Sequence, residues 1–82
     1  MPVVLRVGGY RFWFYEADLD EPAHVHAGKE SLEAKFWLDP IALARAGRFA
    51  PHELRDIERI LIRFQPELMR AWEREQDKRA NG

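Results

Sequence analysis

Leu32-Glu33-Ala34-Lys35-Phe36-Trp37-Leu38, residues 32–38, is followed at once by Asp39-Pro40. Strand side chains point alternately to opposite faces. Leu32, Ala34, Phe36 and Leu38 therefore share one face, and Glu33, Lys35 and Trp37 the other. The apolar face must meet a core, which makes this stretch a strand of a sheet with one covered side. Asp39-Pro40 then reads as a helix start, Asp as the cap and Pro as the first helical residue.

Upstream of this stretch, the chain reads as three more strands. Residues 3–7 and 10–16 flank Gly8-Gly9, and two β-prone runs about a Gly-Gly pair predict a hairpin with a primed turn. Residues 17–22 form an acidic loop, 23–27 a short third strand and 28–31 a turn. Downstream, Ile41 to Ala46 is expected as a short helix ended by Gly47. Pro51 opens a longer one, with Phe49 and Leu54 at staple spacing and Glu53 offering half a capping box over Ala50. Leu54, Ile57, Leu61, Phe64, Leu68 and Trp72 follow helical spacing and form one apolar stripe. Pro66 interrupts it, so a kink or break is expected near Phe64-Gln65.

The expected fold is α+β: a four-stranded, mainly antiparallel sheet followed by two to three helices packed on one face. Residues 1–82 form a single domain, with the sheet in 1–38, helices in 39–77 and a frayed tail in 78–82. Composition agrees. The chain has 82 residues, 46% of them hydrophobic and 33% charged, which suits one small globular domain and not a disordered chain. It has no cysteine, which excludes a disulfide scaffold, a thiolate nucleophile and a cysteine-held metal. Thirteen basic against fourteen acidic residues give a net charge of −1, which argues against a globally basic nucleic-acid binder. No signal peptide or membrane-spanning run is read, so the expected location is cytoplasmic, in a bacterium, with no membrane partner.

Alternation places Arg6, Arg11, Trp13, Tyr15, His24, His26, Lys35 and Trp37 on the sheet face away from the core, with Glu33 as an acidic exception. Arginine and lysine bind phosphates, aromatic rings stack on bases and histidine moves protons near neutral pH, so this face suits RNA. It also suits a protein interface or a plain solvated surface. His24-Val25-His26 is the sharpest motif, because side chains two apart in a strand share a face and two imidazoles can hold one metal. A third ligand would come from Asp18, Asp20, Glu21 or His52, and spacing selects none of them. His52 reads as exposed, and Arg55, Arg59 and Arg63 as a solvated basic stripe.

Val4-Leu5-Arg6-Val7-Gly8-Gly9-Tyr10-Arg11-Phe12, Pro22-Ala23-His24-Val25-His26 and Glu33-Ala34-Lys35-Phe36-Trp37-Leu38 together resemble the bacterial domain-of-unknown-function family numbered four-one-six-zero, as do Phe49 through Ile57 and Trp72. Ala50 departs from the usual cap, and Pro66 falls where the family is usually helical. The resemblance implies a component of a toxin–antitoxin-type gene pair, often beside a second small family numbered twenty-four forty-two. It carries over no established catalytic residue.

The leading expectation is a toxin acting on RNA as a metal-independent ribonuclease. His24 and His26 would be the catalytic pair, and Arg6, Arg11, Trp13, Tyr15, Lys35 and Trp37 the substrate-binding groups. This reading needs no cofactor and assigns no metal. The first alternative is a non-catalytic protein-binding module, an antitoxin or regulatory partner, and the second is a small metal-binding protein. Expected partners are a cognate protein from a neighbouring gene, RNA or the ribosome, and a second copy of the chain.

Overall fold

The computed structural model describes residues 3–81. Strands β1 (Val3–Val7) and β2 (Tyr10–Trp13) form the expected hairpin, with Gly8 and Gly9 both at positive φ, 58° and 84°. Strands β3 (His24–Lys29), β4 (Leu32–Leu38) and β5 (Ile41–Arg45) follow, and one helix, α1 (Pro51–Asn81), completes the described chain. The sheet is antiparallel throughout and its strand order is β1-β2-β3-β4-β5, a simple meander.

Two expectations are corrected: the sheet has five strands, not four, and one long helix replaces the expected two to three. Asp39-Pro40, joined by a cis peptide, does not start a helix but turns the chain back along β4, pairing Leu38 with Ile41. Ile41-Ala42-Leu43-Ala44-Arg45 alternates in twos, and the free edge of β4 offers it a ladder from the Leu38/Ile41 pair to the Lys35/Arg45 pair, interrupted by one bulge between Lys35 and Phe36. A helix of six residues has few internal bonds to offer in competition.

The second correction concerns Pro66. Helix α1 runs through it without a break. A proline inside a helix frees the carbonyl four residues earlier. Here that residue is Ile62, which is 60% exposed, and Pro66 is exposed too, so water can satisfy the freed group. The neighbouring Gln65 fastens the helix to the sheet by donating from Nε2 to the Leu38 carbonyl at 2.8 Å. Residues 78–81, expected as frayed, continue the helix, and Gly82 lies outside the described residues. At the other end, Glu53 Oε1 accepts from the Ala50 N–H at 3.0 Å, the half of the capping box that alanine permits.

The core lies between one sheet face and α1. Phe12, Val25, Ala27, Ala34, Phe36 and Leu38 are buried from the sheet side, and Ile57, Leu61, Leu68 and Trp72 from the helix. A bulge between Val3 and Leu5 breaks the strict alternation of β1: Val4 and Leu5 both pack on the core, while Val3 stands opposite Trp13. Gly47, at φ 61°, lets the chain leave β5 directly over β4, because a Cβ there would overlap the Glu33 carbonyl. No helix among the described residues is long and apolar enough to cross a membrane.

Candidate metal centre

Residues 14–23 join β2 to β3, anchored in the core beside α1 and sending Asp18 toward the second sheet face. Phe14 and Leu19 are buried anchors, and Phe14 meets the Trp72 ring edge-on at 5.2 Å. Between them Glu16–Asp18 makes a single 3-10 turn, closed by the Asp18 N–H to the Tyr15 carbonyl at 3.0 Å. That turn aims the Asp18 carboxylate at β3, where His24 and His26 sit two residues apart.

One oxygen, Asp18 Oδ2, lies 3.0 Å from His24 Nε2 and 3.0 Å from His26 Nε2. The far ring nitrogens face acceptors. His24 Nδ1 is 2.9 Å from the Pro22 carbonyl, which can only accept, so Nδ1 carries a proton. His26 Nδ1 is 3.1 Å from Glu33 Oε2, though off the line of a good hydrogen bond, and this buried nitrogen has no other partner. His24 is fully buried and His26 is 4% exposed. The Trp13 ring stacks beside His26 at 6.1 Å and the Tyr15 ring meets it edge-on at 4.6 Å, while Trp37 and Trp72 flank His24. Gly28 makes this wall possible, because a Cβ there would come within 2.7 Å of Trp13 Cη2.

The electrostatics are specific. With Nδ1 protonated, a neutral His24 turns an Nε2 lone pair toward a carboxylate oxygen. Two acceptors at 3.0 Å repel unless a positive species lies between them, either a second proton on the ring or a metal ion. The His24 contact holds the Asp18 carboxyl below its ordinary pKa; partial burial opposes this and the His26 contact adds to it. Asp18, His24 and His26 each offer one ligand atom, all within 4.8 Å of one another. In a tetrahedral site with ligands at ~2.0–2.1 Å, donor atoms stand roughly 3.3 Å apart; the two 3.0 Å contacts come within a few tenths of an ångström of this, and the ligand nitrogens of the two histidines lie within 4.8 Å of each other.

The other residues singled out in the sequence are distributed around this cluster. Trp13 and Tyr15 wall His26, and Trp37 touches His24. Lys35 pairs with Glu21 at 3.0 Å and covers the Trp37 ring. Arg11 lies over Trp13 and donates to the Glu30 carbonyl, and Arg6 stands opposite Arg11, exposed, near the β1–β2 turn. Of the four candidates for a third ligand, Asp20 pairs with Arg79, Glu21 with Lys35, and His52 is exposed on α1. Asp18 alone reaches the histidines. Sequence reasoning missed Glu33 as a partner of His26; the only signal was its acidic exception on a basic face.

No curated protein and no solved structure matches the chain. A family model described as "Domain of unknown function (DUF4160)" matches residues 9–73, a span that contains Asp18, His24, His26 and Glu33. The match covers most of the chain, and the chain belongs to that family.

Proposed function

We propose that this protein binds a divalent transition-metal ion through Asp18, His24 and His26. The observation that carries the reading is the shared oxygen: both Nε2 atoms converge on Asp18 Oδ2 while both Nδ1 atoms face an outer acceptor. Metal-bound histidines nearly always have their second nitrogen placed this way, donating to a carbonyl or a carboxylate. A donor set of two imidazoles and one carboxylate suits zinc, iron(II), nickel or copper better than calcium or magnesium. Three protein ligands leave a fourth position for a water molecule, with Asp18 the most exposed of the three, and the ion would polarise that water as a Lewis acid. The RNA-cleaving reading draws less support from the same residues. A general acid or base must reach its substrate, and His24 is sealed from solvent.

Calorimetric titration with Zn²⁺ and with Ni²⁺ tests the proposal. One ion per chain is expected. Asp18→Asn keeps the side-chain shape and should weaken Zn²⁺ binding by about 100-fold while the metal-free fold persists, and His52→Ala should bind as the native chain does. Absence of binding by the native protein, or native affinity in Asp18→Asn, overturns the reading.

A further inference from the structure

The two histidines are held differently from behind. His24 Nδ1 has a neutral and fixed partner, the Pro22 carbonyl at 2.9 Å. His26 Nδ1 has only the Glu33 carboxylate, 3.1 Å away and poorly aligned. Glu33 belongs to β4, opposite Gly28, and its side chain is 35% exposed. The Tyr15 hydroxyl donates toward both of its oxygens, at 3.3 and 3.4 Å, and Arg45 Nη2 stands 3.8 Å away on β5. Gly47 passes close over the Glu33 backbone, where a Cβ would overlap the Glu33 carbonyl.

We propose that Glu33 is a positioning residue of the metal centre, and this inference rests on the proposed metal reading. Glu33 Oε2, 3.1 Å away, is the acceptor placed to take a hydrogen bond from His26 Nδ1–H, in competition with the Nε2 contact to Asp18. That bond fixes the tautomer in which Nε2 presents its lone pair to the ion, and the negative charge behind the ring makes the imidazole a stronger donor. His24 needs no such charge, because a carbonyl already fixes its tautomer. Glu33 therefore tunes affinity through one ligand, while Tyr15 and Arg45 hold its carboxylate in place.

The test uses the full chain, with Zn²⁺ titration and with long-range ¹⁵N NMR of the metal-free protein in mildly alkaline buffer. Glu33→Gln keeps an acceptor but removes the charge, and is expected to lower Zn²⁺ affinity about 10-fold. Glu33→Ala is expected to lower it further and to move the His26 ring toward the Nε2–H tautomer, since Asp18 is then its remaining acceptor. The His24 tautomer should stay unchanged in both variants, a pattern that general destabilisation would not produce. Native Zn²⁺ affinity in Glu33→Ala, or an unchanged His26 tautomer, overturns the role of Glu33. Failure of the native protein to bind Zn²⁺ removes the metal reading instead, and the tautomer measurement then decides alone whether Glu33 orients His26.

Discussion

Strands β3 and β4 carry two faces that are both covered, but by different physics. On one, Val25, Ala27, Ala34 and Phe36 lie at 0–1% exposure under a 31-residue helix. On the other, His24 and His26 lie at 0% and 4% against Asp18 and the rings of Trp13, Tyr15 and Trp37, with Trp72 of α1 also reaching His24. Burial of apolar area holds the first face and is non-directional. The second depends on a few directed contacts, each tied to a particular ring nitrogen or carboxylate oxygen. The first face should therefore govern stability and the second should govern binding.

Phe36→Ala tests that division most severely. Phe36 is 1% exposed, and truncating a buried phenylalanine costs about 3–5 kcal/mol. For a chain of 82 residues that is a large share of the total stability. Urea unfolding should show a greatly lowered midpoint or a chain already unfolded in buffer. A loss of about 1 kcal/mol or less would mean that the helix does not seal this face. Asp18→Asn should lower the metal-free midpoint less than Phe36→Ala does, since only the carboxylate contacts to the two imidazoles are lost, and should weaken Zn²⁺ binding greatly.

The same contrast explains what could be read from the sequence. Leu32, Ala34, Phe36 and Leu38 announce a covered strand face by period, and Leu54, Ile57, Leu61, Phe64, Leu68 and Trp72 announce the helical stripe that covers it. Non-directional burial leaves a periodic trace. Ile41 to Arg45 left a weaker one, because two alanines and a preceding proline favour a helix start as readily as an edge strand. Pro66 misled because its effect depends on whether Ile62 faces water, which no local pattern records. On the polar face, His24 and His26 were legible as a pair through strand alternation. Asp18 stood among four candidate ligands, since the 3-10 turn that aims it is set by the buried anchors Phe14 and Leu19 and not by spacing. Glu33 was legible as an exception and not as a partner.

Gly28 lies on the polar face and offers a finer test. Its φ is not in the left-handed region, so alanine is tolerated by the backbone, but the new Cβ would stand 2.7 and 2.8 Å from Trp13 Cη2 and Cζ3. Trp13 must move, and with it the ring stacked on His26. Overpacking of this kind costs about 1–3 kcal/mol. Gly28→Ala should lower the unfolding midpoint accordingly and change the near-ultraviolet circular dichroism. An unchanged spectrum and midpoint would show that the indole is not a fixed wall, and the polar face would then be less specific than the contacts imply.

The smallest expected effect sharpens the comparison where the two faces meet. The end of α1 reaches the connection that carries Asp18: Gln76 Nε2 donates to the Leu19 carbonyl at 3.0 Å, and Arg79 pairs with Asp20 at 2.9 Å. The Asp20 side chain is 80% exposed, and surface pairs of this kind contribute about 0–1 kcal/mol. Arg79→Ala should therefore shift stability by no more than about 0.5 kcal/mol and leave Zn²⁺ affinity untouched, because Asp18 is aimed by its own turn and by two imidazoles. A loss above about 1.5 kcal/mol, or a weakened metal site, would mean that the helix end holds the connection in place. The polar face would then borrow its order from the apolar one, and the division of labour between them would fail at this contact.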